Sequence, residues 1–161
     1  MKSSLTLTLA LGMVLLTGMT FNNTAGADMK RVSGQTIYLS VYPQVPRAKQ
    51  MKPLSMVILI SIRNTDPKHS IKINAIDFYD GEGNLKNRVN YGPSSVGPLA
   101  VKNIRIEPGQ LAAGKEIAGS FIIKWQSDQR VLEPICESIS AVPGAMHSGE
   151  LMFTGRVIQE H

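Results

Sequence analysis

Met56-Val57-Ile58-Leu59-Ile60-Ser61-Ile62-Arg63 runs directly into Asn64-Thr65-Asp66-Pro67. In an extended chain alternate side chains share a face, so Met56, Ile58, Ile60 and Ile62 form one set and Val57, Leu59, Ser61 and Arg63 the other. Both sets begin apolar. The spacing therefore predicts a central strand, covered on both sides near its start and turning polar at Arg63. Asn64 and Asp66 carry short side chains that bond nearby backbone groups. Pro67 forces the residue before it out of the helical region, so the strand ends in a tight turn.

The same period recurs on either side. Residues 35–42 (QTIYLSVY) are β-branched and aromatic and read as a strand stopped by Pro43 and Pro46. In residues 70–80, Ile71 and Ile73 share one parity while Ile76 and Phe78 share the other. One extra residue near Asn74-Ala75, a β-bulge, brings both pairs to the same face. Asp80-Gly81-Glu82-Gly83-Asn84 is a hairpin turn. Residues 85–89 make a short edge strand whose Lys86 and Arg88 protect it. Further strands are expected at 99–106, 117–126, 135–142 and 150–158, with Phe121, Ile123 and Trp125 on one face of the third. The pattern predicts an all-β fold of about seven to eight strands, an antiparallel β-sandwich of immunoglobulin-like or related type.

At the N-terminus, Lys2 precedes an uncharged apolar run from Leu5 to Met19, and Ala25-Gly26-Ala27 offers small residues at its exit. These are the three parts of a secretory signal. The apolar run is broken by Thr6, Thr8, Thr17 and Gly18 and is short of the roughly 20 residues a spanning helix needs. The expected organisation is a signal peptide at 1–27, a flexible leader at 28–34 and a single β-sandwich domain at 35–161. The expected location is exported, periplasmic or cell-envelope associated. No transmembrane segment is expected after cleavage.

The formal charge of the 161-residue chain is +5. Its lysines and arginines are scattered in sequence, which reads as a solvated surface rather than a nucleic-acid footprint. Cys136 is the one cysteine, so an intrachain disulfide is impossible; a small buried residue in a strand is the expected role.

Candidate chemistry is sparse. Met146, His147 and Met152, with Met51 or Met56 added, bring together thioethers and an imidazole, a set that suits copper. The spacing follows no strict motif, and a surface turn followed by ordinary strand methionines is preferred. Asp77, Asp80, Glu82 and Asn84 gather acids at the hairpin, but a calcium loop needs Gly at its sixth position and, counted from Asp80, that is Leu85. Arg63, Asn64, Asp66, Lys68 and His69 make a polar turn that reads as turn chemistry before acid–base chemistry, and as a surface for presentation to a partner. There is no G-x-S-x-G elbow, P-loop or dinucleotide fingerprint. The expectation is a non-enzymatic protein with no catalytic residues and no cofactor, whose unidentified partner is another envelope protein and not nucleic acid.

Several stretches in order carry a family likeness: 34–38 (GQTIY), 61–69 (SIRNTDPKH), 76–80 (IDFYD) with Gly83, 97–99 (GPL), 121–125 (FIIKW), 133–135 (EPI) and 155–158 (GRVI). Together they resemble the bacterial domain of unknown function family 3124. The resemblance spans most of residues 34–158, and the Ser-Ile-Arg-Asn-Thr-Asp-Pro run is its most specific part. It implies an exported or envelope-associated bacterial protein and brings no established activity. One departure is the approach to the Trp125 strand, where residues 114–120 (GKEIAGS) stand in place of a Gly-rich segment.

Overall fold

The computed structural model describes residues 30–49, 51–89, 93–111, 117–144 and 150–161. The expected signal segment thus lies outside the described residues. Within them the secondary structure is all β. In chain order the strands are β1 (Arg31–Val41), β2 (Gln44–Val45), β3 (Leu54–Ser55), β4 (Val57–Arg63), β5 (Ile71–Tyr79) and β6 (Leu85–Arg88). They continue with β7 (Ser94–Val96), β8 (Val101–Ile106), β9 (Gly119–Leu132), β10 (Ile135–Ala141), β11 (Leu151–Thr154) and β12 (Arg156–Glu160).

Two antiparallel sheets pack together. The first has the order β12-β1-β9-β5-β6, with β7 also paired to β5; the second has the order β11-β10-β4-β8. A minor ribbon joins β2 and β3. The interior is made by the alternation anticipated from sequence. Ile58, Ile60 and Ile62 of β4 face Leu39, Ile37, Ile123, Phe121 and Trp125, all at most 2% exposed. Phe78 and Phe121 meet with ring centroids 5.3 Å apart and a 49° tilt, within the range of separations that aromatic pairs favour.

Strand β4 is central, between β10 and β8. The bulge in β5 is present: Ile73 opposes Trp125 and Ala75 opposes Lys124, so Asn74 is the additional residue. It shifts the parity, and Ile71, Ile73, Ile76 and Phe78 are all buried. Strand β6 is an edge strand, as its charges suggest.

The strand boundaries differ from expectation in several places. Arg31 to Gly34, assigned to the leader on polarity, belong to β1: Val32 is 5% exposed and pairs with Val131. Gly34 is required there because a Cβ would stand 2.8 Å from the Trp125 carbonyl oxygen. Strand β9 likewise runs on past Gln126 to Leu132. The two strands support each other, and a polar stretch is held extended by its partner rather than by its own alternation. The segment expected as one strand at 150–158 is divided at Gly155 between the two sheets. A Cβ at Gly155 would lie 2.6 Å from Ile37 Cγ2, so only glycine lets the chain cross from one sheet to the other at that point.

Candidate functional site

The turn between β4 and β5 crosses from one sheet to the other, and its polar residues are turned inward. Asn64 and Asp66 are 2% and 1% exposed. The Asn64 side-chain amide donates to the carbonyls of His69 (2.8 Å), Val96 (3.1 Å) and Gly97 (2.8 Å). With two N–H groups for three acceptors, one hydrogen is shared. Asn64 Oδ1 accepts from the Asp66 amide at 3.1 Å, and the Asn64 amide donates to the Ala100 carbonyl at 3.0 Å.

Asp66 is the centre of the arrangement. Its Oδ1 accepts from the backbone amides of Lys68 and His69, both at 2.9 Å, and lies 3.1 Å from His69 Nδ1. Its Oδ2 accepts from Arg31 Nη1 at 3.0 Å and from the Leu132 amide at 3.2 Å. The Lys68 amide, then those of His69 and Leu132, hold this carboxyl well below the usual carboxylate range against the opposing cost of burial. Thr65 completes the set by donating to the Glu133 carbonyl at 2.8 Å. One short turn thus ties together β1, β4, the β7–β8 connection and the end of β9.

Of the five residues proposed from sequence as a partner surface, Arg63, Lys68 and His69 lie on its outside, while Asn64 and Asp66 lie inside it. Arg63 is itself paired with Glu137 at 3.3 Å. A residue not singled out from sequence joins the outer side. Leu99 is 66% exposed and has φ = 55°, a left-handed conformation uncommon for a residue with a side chain. The Ala100 amide donates to the Gly97 carbonyl at 3.1 Å, and the Leu99 amide donates to the Asp66 carbonyl at 3.2 Å. Gly97-Pro98-Leu99-Ala100 is therefore a turn with proline at its second position and leucine at its third, where glycine relieves the strain. The signal was readable: proline followed by a third residue that is not glycine.

The other candidates resolve differently. Met152 is 63% exposed and pairs with Ile139 on the outer face of the second sheet, whereas Met56 is 2% exposed with the interior set. The sheet separates these two thioethers. Met146 and His147 lie outside the described residues, as do 114–116 of the segment that departs from the family likeness before Trp125. Among the described residues no three His, Cys, Asp or Glu side chains are grouped to hold a metal ion.

The acids at the hairpin have partners. Asp80 accepts from the amides of Glu82 (3.0 Å) and Asn84 (2.8 Å) and from Lys86 Nζ (2.8 Å). The Lys86 ammonium, foremost, lowers its pKa to about 2. Asp77 is bridged by Arg88 at 2.6 and 3.2 Å, which raises the guanidinium pKa. Cys136 is buried in β10, and burial pushes its thiol up to about 12. This is the environment of an inert thiol. Among the described residues, no helix is long and apolar enough to cross a membrane.

Comparison with known proteins adds one solved structure and one family. The structure is "Crystal Structure of Thermotoga maritima 1070", with 16% identity and a TM-score of 0.46, covering 79% of this chain and 97% of that one. No curated protein matches the chain. The family model described as "Protein of unknown function (DUF3124)" matches residues 34–158, and the chain, which carries the Asn64–Asp66 turn within that match, belongs to this family.

Proposed function

We propose that this protein is a non-enzymatic binding or accessory module of the bacterial cell envelope, exported by its N-terminal segment. On this reading it presents the outer side of the β4–β5 turn to an envelope protein from a scaffold of immunoglobulin-like or related type. The single observation that carries the reading is Leu99. An apolar side chain, 66% exposed and held at positive φ, is costly both to solvate and to strain, and such outliers concentrate at sites of use. Lys68 and His69 belong to the turn whose Asp66 carbonyl holds the Leu99 amide. The buried bonds of Asn64 and Asp66 fix that side of the molecule, engaging the His69 ring but leaving the Lys68 and Leu99 side chains exposed. Binding then needs little ordering of the surface beforehand.

Leu99→Gly tests this reading. Glycine adopts the left-handed region freely, so the variant is expected to keep or raise the melting temperature while losing the apolar knob. Capture from a cell-envelope fraction is expected to recover a partner with the wild-type protein and to lose it with Leu99→Gly and with Lys68→Glu. Equal recovery by all three proteins eliminates this surface. Metal analysis of the natively purified protein separates the reading from the copper-binding alternative: stoichiometric copper would favour Met146, His147 and Met152 instead.

A further inference from the structure

The cations that are scattered in sequence are brought together by strand register on the outer face of the first sheet. Tyr38 pairs with Arg156 of β12 and Ile122 of β9, and Ile122 pairs with Asp77 of β5. In the next row Thr36 pairs with Gln159 and Lys124, and Lys124 with Ala75. In the third row Gly34 pairs with Gln126, and Gln126 with Lys72. Arg156, Lys124 and Lys72 therefore step diagonally across the face, one row at a time. With strands about 4.8 Å apart and same-face residues about 6.7 Å apart, the line is about 20 Å long.

All three side chains are exposed, and among the described residues none has an ion-pair partner. The carboxylate within the face, Asp77, is 4% exposed and already bridged by Arg88. Glu160 is turned to Lys30 at 2.6 Å. Asp128 shares a cleft of about 230 Å³ with Lys72, at the end of the line.

We propose that this diagonal is a docking track for a linear acidic polysaccharide, a chain of sugars bearing repeated carboxylates. The inference rests on strand register and not on Leu99, although the Lys72 end of the track adjoins the β4–β5 turn through the cleft that Ser70 also lines. Charge complementarity supplies the attraction. Gly34 and Ala75 keep the face low beside Lys124 and Lys72, while Thr36, 4% exposed, is covered by His161, whose Nε2 lies 3.0 Å from the Thr36 hydroxyl. Gln126 and Gln159, both exposed, offer amides that donate to and accept from hydroxyls. Tyr38, 41% exposed beside Arg156, provides an aromatic surface with a polar tip on which a sugar ring packs. A membrane surface is less well matched along these three rows, where the aliphatic residues in register are Ala75 and Ile122, both half-buried; the exposed Ile158 at the β12 bulge and Leu85 of β6 stand apart from each other at its margins.

The test compares the wild-type protein with Lys72→Gln/Lys124→Gln/Arg156→Gln and with a charge-matched control, Lys49→Gln/Lys52→Gln/Lys102→Gln. Probes are polygalacturonate, neutral dextran, single-stranded DNA, and phosphatidylglycerol vesicles. The expected result at low salt is binding of polygalacturonate but not dextran, weakened by about tenfold or more in the track variant and less than about twofold in the control, with binding falling as salt rises. A melting curve for each variant confirms that the fold is retained. Equal losses in both variants, or none in the track variant, overturn the proposal. Binding of vesicles or DNA as tight as that of polygalacturonate overturns the polysaccharide assignment and leaves charge alone. A Tyr38→Ala variant of unchanged affinity removes ring packing and overturns the assignment of a sugar chain as well.

Discussion

Two turns flank β5, and each is headed by a buried aspartate that accepts backbone amides. Asp80 keeps all of its partners within six residues: the amides of Glu82 and Asn84, the Asn84 side chain and Lys86. Asp66 has an equally local set in Lys68 and His69, and then adds Arg31 from β1 and the Leu132 amide from β9. The chemistry of the two carboxylates is the same. Their reach differs, because the Asp80 hairpin joins neighbours in one sheet while the Asp66 turn passes between two sheets. A turn that bonds locally shapes a loop; one whose acceptor also serves distant strands fastens the domain.

The strongest way to break this comparison is to remove each acceptor. Asp66→Ala is expected to lower the melting temperature more than any other single change in either turn, since three partly buried backbone amides and a guanidinium lose their acceptor together. Asp80→Ala is expected to give a clearly smaller shift. Comparable shifts in thermal melts would show that long-range partners add nothing. The next largest effect is expected for Asn64→Ala, at about 2–3 kcal/mol in urea unfolding, because buried carbonyls on two connections lose their donor. Asn84→Ala, at an exposed position, is expected to cost about 0.5 kcal/mol or less.

Acid sharpens the same contrast. Both carboxyls have folded-state pKa values depressed below an ordinary value near 3.8. Stability from a depressed carboxyl is fully present above its unfolded pKa and is lost as pH falls toward its folded pKa. The two therefore contribute fully at neutral pH and begin to fail below about pH 4. The Asp80 contribution is gone once the pH passes about 2, and that of Asp66 persists lower. Denaturant midpoints measured from pH 6 downward are expected to fall below about pH 4 in the wild-type protein. That fall should be reduced more by Asp66→Asn than by Asp80→Asn. An unchanged slope in Asp66→Asn would remove this carboxyl from the acid response.

How far these turns were legible from sequence follows from the same difference in reach. Asn64-Thr65-Asp66-Pro67 announces a turn, and the Ile73–Ile76 parity change announces a bulge, because each signal lies within a few residues. Nothing near Asp66 announces Arg31 or Leu132. Those partners exist only once β1 and β9 are paired and the sheets are packed. The polar start of β1 reads as a leader for the same reason: Val32 is its only aliphatic residue before Ile37, and its burial depends on Val131 across the sheet. Register likewise decides that Lys72, Lys124 and Arg156, spread over 84 residues, share a face. Leu99 carried a local signal in Pro98, but not its bond to the Asp66 carbonyl.

The smallest expected effect is the most discriminating for the role of the Asp66 turn. Lys68 contributes its backbone amide to Asp66, while its side chain is exposed and has no ion pair among the described residues. Lys68→Ala should therefore leave stability within about 0.5 kcal/mol, since alanine retains the amide. If unfolding midpoints confirm this, Lys68 is dispensable for the fold although it lies at the centre of the domain's principal fastening. Its side chain is then open to a role in recognition, and the capture experiment reads that role without interference from unfolding. A loss above about 1 kcal/mol would instead mean that the ammonium supports the turn, and that the inner and outer sides of this region cannot be separated.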